Sequence, residues 1–112
     1  MYESLVVANA FSLNMLLHSR KWNIMCEPLT RTEARRLVRK AIEVESIVGH
    51  ADTAALFSNE LGHKVEFNRV SFVRKPYQVI LVGQYSGPRL PEGTSVLPEG
   101  ASINWWLIRD PE

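Results

Sequence analysis

Cysteine and long apolar runs are the two features that this sequence most clearly lacks. Cys26 is the only cysteine among 112 residues, which excludes an intrachain disulfide and a zinc site built from several cysteines. Apolar runs such as residues 79–82 are too short to span a membrane, and residues 1–4 lack the basic start of a secretion signal. We therefore expect a cytoplasmic protein, in the host cytoplasm if its origin is viral, with no membrane contact.

A large excess of charge of either sign is also missing. Lysines and arginines number 13 against 12 acidic residues, so the formal net charge is +1. Proteins that coat long nucleic acid usually carry a strong basic excess, and we expect no such partner here. One predicted helix face is cationic, and we interpret it as solvated, with an RNA-binding patch as the alternative. That face carries Arg35, Arg36, Arg39 and Lys40.

The residues that are present suit one ordinary globular domain. Hydrophobic residues make up 46% of the chain, and its length fits one compact domain, residues 1–112, with a single core. Apolar patterns predict strands at residues 5–8, 22–26, 65–73, 77–82 and 103–108. With helices between the early strands, this order favours an α/β fold: a mixed β-sheet of about five strands flanked by helices.

Capping and stop signals predict three helices. They cover residues 13–17, residue 31 onward until Gly49, and residues 51–61. Ser12 can cap the first helix, and Thr30 with Glu33 forms a capping-box pattern before the second. Gly49 and Gly62 are interpreted as the residues that end the second and third helices.

His50 is the histidine in the most informative setting. It follows Gly49 and comes directly before the predicted helix over residues 51–61. A histidine there can release a proton while backbone N–H groups of the next turn hold a phosphate. A capping or packed histidine is the commoner role of such a residue, and both interpretations stay open. We interpret His18 as exposed and His63 as a residue at a helix C-terminus.

Other catalytic chemistries have little support in the sequence. No histidine and carboxylate pair has metal-ligand spacing on a helix face, and no Gly-x-x-x-x-Gly-Lys phosphate loop occurs. Cys26 has no histidine beside it in the sequence. We therefore expect no metal and no cofactor.

The late loop over residues 86–101 is long and rich in glycine and proline. Loops of this length within a compact domain are often functional. It repeats Leu-Pro-Glu-Gly, so that Glu99 echoes Glu92, and we interpret the first half as a lid that presents Arg89 and Glu92. Arg69, in a predicted strand, is either a solvated arginine or a planar group that grips phosphate.

Four segments together resemble a known family. They are Asn9-Ala10-Phe11-Ser12-Leu13-Asn14-Met15-Leu16, Gly49-His50, Asn68-Arg69-Val70 and Arg89-Leu90-Pro91-Glu92-Gly93. Their order and spacing resemble those of the viral anti-CRISPR ring nucleases, small proteins of archaeal viruses and phages that degrade cyclic tetra-adenylate. Related copies accompany bacterial type III CRISPR systems.

This resemblance implies a homodimer that holds one ring of four adenylates across its two-fold axis. It implies metal-independent cleavage, in which a ribose 2′-OH attacks the adjacent phosphorus and the 5′-oxygen leaves. His50 would be the general acid, and the products would be linear di-adenylates ending in a 2′,3′-cyclic phosphate. The ligand-holding residues would be Asn9, Ser12, Asn14, Arg69, Gln84, Arg89 and Glu92, with Glu99 as a second candidate for the role of Glu92.

Two alternatives to this enzyme stay open at the level of sequence. The first is a sponge that binds a cyclic oligoadenylate without cutting it, using the same arginines and asparagines. The second is a protein-interaction module with no nucleotide ligand. In that case Trp105 and Trp106 matter most, because neighbouring residues of a strand point to opposite faces of the sheet.

Overall fold

Five strands form one mixed sheet in the computed structural model, which describes residues 2–111. The strands are β1 (Ser4–Ala8), β2 (Met25–Leu29), β3 (Glu43–Ser46), β4 (Ile80–Ser86) and β5 (Ser102–Arg109), in the spatial order β2-β5-β4-β1-β3. β1 pairs in parallel with β3 and β4, whereas β5 runs antiparallel to β2 and β4. The predicted α/β fold with a mixed sheet of about five strands is confirmed.

Two helices, α1 (Arg31–Lys40) and α2 (Ala51–Leu61), pack on one face of this sheet and form with it the larger of two apolar clusters. Phe57 of α2 lies against Trp105 of β5, with ring centroids 4.9 Å apart. The opposite face of the sheet is covered by side chains from connecting segments, such as Phe11 and Phe72, together with Trp106. The prediction that Trp105 and Trp106 lie on opposite faces is confirmed. Neither helix within residues 2–111 is long and apolar enough to cross a membrane.

Two helix ends agree with the short-range sequence signals that predicted them. Glu33 N donates to Thr30 Oγ1 (3.1 Å) and Thr30 N donates to Glu33 Oε1 (2.8 Å), so the predicted capping box starts α1. α2 has the predicted bounds, and Gly62 follows it with φ +65°, the left-handed conformation that glycine adopts readily. The start of α1 and the end of α2 were therefore predictable from short-range chemistry alone.

The capping box contributes stability that is lost in acid. The hydrogen bond from the Thr30 backbone N–H, followed by that with the Thr30 side chain, lowers the pKa of Glu33. A lowered pKa in the folded state stabilises the fold above the ordinary carboxyl pKa, and this contribution disappears as pH falls through the lowered value. We expect Glu33→Gln to lower the thermal midpoint at neutral pH, and we expect this deficit to disappear in acid, once the pH has fallen below the lowered pKa of Glu33. Glu99→Gln, at a position that caps no helix, is the control; a deficit that persists in acid would contradict the role of the carboxylate.

The end of α1 was predicted wrongly, and with it a strand was missed. The helix ends at Lys40, well before Gly49, and residues 43–46 form β3. Ile42 N and Glu43 N both donate to Glu3 O, at 3.0 and 2.9 Å, so pairing with β1 takes over from the helix. Ile42, within the predicted helix, is exposed. Tertiary pairing therefore overrides a helical pattern that continues in the sequence.

The predicted strand over residues 65–73 is wrong. Only one isolated bridge, between Val48 and Phe67, links this segment to another part of the chain in strand fashion. Its polar groups bond elsewhere: Val65 N donates to Ser58 Oγ at 2.8 Å, and Asn68 N donates to Val48 O at 2.9 Å. Arg69 consequently lies in an irregular segment, not in a strand.

Four other elements also differ from their predicted bounds. Residues 13–17 form only a short 3-10 turn, Leu13–Met15, and the Ser12 side chain makes no capping hydrogen bond. β2 covers Met25–Leu29 and not residues 22–26, and it includes Pro28 because an edge strand tolerates a residue without an N–H. β4 begins at Ile80, later than predicted. β5 extends the predicted strand by one residue at each end.

The topology brings the predicted site residues to one edge of the sheet. β1, β3 and β4 run in parallel, so their carboxyl ends share an edge. Asn9 directly follows β1, His50 shortly follows β3, and Gln84 lies near the end of β4. The carboxyl edge of parallel strands is where open α/β sheets usually bind ligands.

Candidate functional site

His50 stands at the start of α2 with its side chain uncommitted. It is the N-cap residue in extended conformation (φ −134°, ψ 130°), its carbonyl accepts the first helical bond from Ala54 N (2.9 Å), and its imidazole makes no capping bond. The side chain is exposed. The first N–H groups of a helix have no acceptor within the helix and favour anions. An exposed imidazole and free backbone donors are therefore adjacent.

Arg69 lies against the residue that precedes His50. A β-carbon built on Gly49 would be 3.6 Å from Arg69 Cγ, so the stem of the arginine packs on this glycine. We expected Gly49 to end a helix, and this is wrong: Gly49 lies in the connection between β3 and α2. The structure thus packs the Arg69 stem on the residue that precedes His50, although the predicted strand over residues 65–73 does not form.

A hydrogen-bonded network around Ser46 fixes that arrangement. Ser46 Oγ donates to Glu66 O and accepts from Val48 N at 3.1 Å. Asn68 Nδ2 donates to Ser46 O at 2.8 Å. These bonds hold the segment containing Arg69 against the end of β3. Sequence reasoning missed the role of Ser46, because no short-range pattern marks a serine whose partner is 20 residues away.

The late loop brings two further predicted residues to the start of α2. A cleft of about 440 Å³ includes His50, Thr53, Tyr85 and Arg89 in its lining. A neighbouring cleft of about 610 Å³ is lined by Ala51, Asp52, Arg89, Leu90, Pro91 and Glu92. His50, Arg89 and Glu92 thus surround one helix end. Neither Arg69 nor Arg89 forms an ion pair within residues 2–111, so both guanidinium groups are available to an anion.

Asp52 ties this loop to the helix. Its Oδ1 accepts a hydrogen bond from Gly93 N at 3.1 Å. At the base of the loop, Tyr85 donates to Pro88 O, and Gly87 packs so closely on Ala101 that a β-carbon would be 2.6 Å from that of Ala101. The loop is therefore closed at its base and attached near its middle. No short-range pattern could indicate this contact, because Asp52 and Gly93 are 41 residues apart.

We expect Asp52→Ala to loosen the late loop while the fold is kept. A hydrogen bond of this kind contributes about 1 kcal/mol, so the Gly93 amide should exchange its hydrogen roughly fivefold faster. Hydrogen exchange followed by NMR measures this rate residue by residue. Asp52→Asn keeps an acceptor oxygen and is the matched control. Equal Gly93 exchange rates in Asp52→Ala and the parent would show that the hydrogen bond between Asp52 and Gly93 does not restrain the loop.

Asn9 and Gln84 meet in a third cleft, on the sheet face that the helices do not cover. This cleft measures about 400 Å³, and its lining includes Asn9, Phe11, Cys26, Gln84 and Trp106. Its floor is apolar and aromatic, with amide groups at one end. Such a surface can stack a planar ring while amides bond its edge.

The structure does not bring every predicted residue into these clefts. Ser12 and Asn14 are exposed around the 3-10 turn and line none of the three clefts. Arg69 is exposed beside Gly49 and lines none of them either. Glu99, the echo of Glu92, is exposed in the second half of the loop and also lines none of them. In the part of the chain that the structure describes, no three His, Cys, Asp or Glu side chains are grouped to hold a metal ion.

Comparisons with known proteins relate the chain to one family. The family model described as STIV B116-like matches residues 5–100. Among solved structures, B116 of Sulfolobus turreted icosahedral virus (STIV) matches with a TM-score of 0.74 and 24% sequence identity, over 95% of this chain and 98% of that one. No curated protein sequence matches. At this identity the structural likeness establishes the fold, and the family match extends over most of the chain.

Proposed function

The chain belongs to the STIV B116-like family, and from its candidate site we propose that it is a metal-independent ring nuclease acting on cyclic tetra-adenylate. By destroying this second messenger, the protein switches off the ancillary effectors of type III CRISPR systems. The observation that carries the proposal is the exposed, unbonded His50 side chain at the start of α2, in one cleft with Arg89. A proton donor next to anion-binding groups is what phosphodiester cleavage by an internal nucleophile requires.

The reaction needs no nucleophile from the protein. The ribose 2′-hydroxyl gives its proton to water as its oxygen forms a bond to the adjacent phosphorus, and the bond from that phosphorus to the 5′-oxygen breaks. His50 gives its proton to the leaving 5′-oxygen, so one fragment ends in a 2′,3′-cyclic phosphate and the other begins with a 5′-hydroxyl. Two such cuts convert the ring into two linear di-adenylates. Arg69, Arg89 and the N–H groups at the start of α2 stabilise the negative charge on the phosphate oxygens.

The site of one chain is half of what this substrate requires. A ring of four adenylates carries four phosphates, whereas one chain offers Arg89 in the cleft with His50 and Arg69 packed on the neighbouring Gly49. A homodimer with two-fold symmetry doubles this set and matches the symmetry of the ring. In this proposal Asn9, Ser12, Asn14 and Gln84 contact the nucleosides, and the late loop with Glu92 closes over the ring and excludes water.

Incubation of the purified protein with cyclic tetra-adenylate in excess EDTA tests this function. Liquid chromatography is expected to show conversion to linear di-adenylate, and light scattering is expected to show a dimer. An intact ring that co-elutes with the protein would instead establish a sponge. An intact ring that does not bind would leave a protein-interaction module, with the Trp106 cleft as its first candidate surface.

A further inference from the structure

Tyr77 has the most unusual backbone conformation in the protein. Its φ is +66°, and it is the only non-glycine residue with positive φ among those that the structure describes. A bulky residue in this region is strained. Its side chain is nevertheless 82% exposed, so no packing inside the protein explains its presence. Strain of this kind persists only where the surroundings enforce it, and it is frequent at functional sites.

A turn and a buried ion pair together hold the conformation of Tyr77. Gln78 N donates to Lys75 O at 3.1 Å, so Tyr77 is the third residue of a β-turn, the position at which type II turns require positive φ. The Asp110 carboxylate accepts the Tyr77 backbone N–H, and its Oδ2 lies 3.0 Å from Arg74 Nη2. Arg74 is fully buried, and its backbone N–H donates to Met15 O at 2.7 Å. Burying an arginine is costly even when it is paired. This costly pair holds the carboxylate that fixes an exposed tyrosine.

Tyr77 borders a cleft that also contains two cationic side chains. The cleft measures about 440 Å³, and its lining includes Arg20, Lys21, Trp22, Tyr77 and Asp110. The Arg20 guanidinium lies over the Trp22 ring, with Cζ 4.4 Å from the ring centroid. Within residues 2–111 neither Arg20 nor Lys21 forms an ion pair, whereas Asp110 is already bound to Arg74. The cleft therefore favours an anion.

This cleft is distant from the candidate ring-nuclease site. Tyr77 precedes β4 and Asp110 follows β5, whereas His50 and Gln84 lie where β3 and β4 end. Because β4 runs in parallel with β1 and β1 with β3, the two sites lie at opposite edges of the sheet. Nothing in the proposed cleavage reaction uses Arg20, Lys21 or Tyr77.

We propose that this cleft is a second binding site, which takes a nucleotide unit consisting of an aromatic base with its phosphate. The exposed Tyr77 ring is a platform for stacking the base, and Arg20 and Lys21 bind the phosphate. An aromatic side chain beside a positive groove is how proteins bind nucleotides without reading their sequence. The unit is either a free mononucleotide or one residue of a single-stranded RNA. This inference does not depend on the ring-nuclease proposal.

Titration of the ¹⁵N-labelled protein with AMP, followed by NMR, tests the site. The Trp22 indole N–H donates to Leu17 O at 2.9 Å, so its NMR signal reports on the cleft. The signal is assigned by its absence from the spectrum of Trp22→Phe. We expect that signal to shift with AMP at millimolar concentration and to shift less with adenosine or inorganic phosphate. A short oligoadenylate that binds more tightly than AMP would identify RNA as the source, and equal affinity would identify the mononucleotide. No shift with either ligand would overturn the proposal.

Tyr77→Gly separates binding from a purely structural role. Glycine adopts positive φ without strain, so we expect the thermal midpoint to rise while AMP binding weakens roughly tenfold. Tyr77→Phe keeps the ring and is expected to keep the affinity, and Arg20→Gln is expected to weaken phosphate and AMP but not adenosine. Ring cleavage should be unchanged in Tyr77→Gly. Undiminished AMP binding by Tyr77→Gly would contradict the stacking role.

Discussion

Replacing His50 by alanine is expected to slow cleavage of cyclic tetra-adenylate by roughly 10²–10⁴-fold, the usual contribution of a well-placed general acid. Without the imidazole, the 5′-oxygen must leave without a proton from the protein. Binding of the ring should persist, because Arg69, Arg89 and the backbone N–H groups of α2 are left in place. The fold should persist as well, since the His50 side chain makes no capping hydrogen bond and is exposed.

Single-turnover rates and ring affinity must be measured together to assign this effect. A loss confined to the rate is the signature of a group that acts in the transition state. His63→Ala is the matched control, because His63 is an exposed histidine just beyond the other end of α2; its rate should match the parent. An undiminished rate in His50→Ala would remove His50 from the chemistry. If His50→Ala binds the ring more weakly but cleaves the bound ring at an unchanged rate, His50 is a binding residue only.

The parts of the fold that the sequence predicted well are those that neighbouring residues determine. The capping box of Thr30 and Glu33 and the left-handed Gly62 involve partners within a few residues, and they gave the start of α1 and the end of α2. The sequence did not predict β3, because its four residues, Glu43–Ser46, gain strand structure only by pairing with β1. An edge strand with mostly exposed residues has too weak an apolar pattern to be distinguished from the end of a helix.

The same distinction applies to the candidate site. Individual residues such as His50 and Arg89 could be named from the sequence, because their types and local settings indicate chemistry. Their mutual positions could not, since the contacts that create them join distant parts of the chain. Asp52 and Gly93 are 41 residues apart, and Ser46 and Asn68 are 22 apart. Arg69 shows the consequence: it is close to Gly49 for a reason unrelated to the strand that was predicted to hold it.

Gly83→Ala is expected to produce the largest loss of stability of the substitutions considered, because no space exists for one added methyl group. A β-carbon at Gly83 would lie 2.5 Å from Trp105 Cζ3 and 2.6 Å from Phe57 Cζ. Both rings are buried and pack on each other, so neither can move without disturbing the core. Overpacking of this kind costs about 1–3 kcal/mol, more than the gain of about 0.4–1 kcal/mol from a less flexible unfolded chain.

Thermal and urea unfolding of Gly83→Ala measure this cost, with Gly49→Ala as the control. A β-carbon at Gly49 would meet its nearest neighbour, Arg69 Cγ, at 3.6 Å, an ordinary contact, so the same chemical change is expected to leave stability nearly unaltered. A net loss of about 2 kcal/mol lowers the midpoint of a domain of this size by roughly 10 °C. Equal stability of the two variants would show that the aromatic pair yields to the new methyl group.

The same substitution also connects the core to the site. Phe57 belongs to α2, and the first turn of that helix presents His50 and the tether residue Asp52. Displacing Phe57 therefore displaces the proton donor relative to Arg89 on the late loop, and we expect ring cleavage to fall even below the unfolding temperature. Adding Phe57→Leu to Gly83→Ala makes room for the methyl group and should restore part of both losses, since residues in contact do not act additively. Recovery of stability without recovery of cleavage would show that the aromatic ring itself, and not only the space it fills, sets the position of α2.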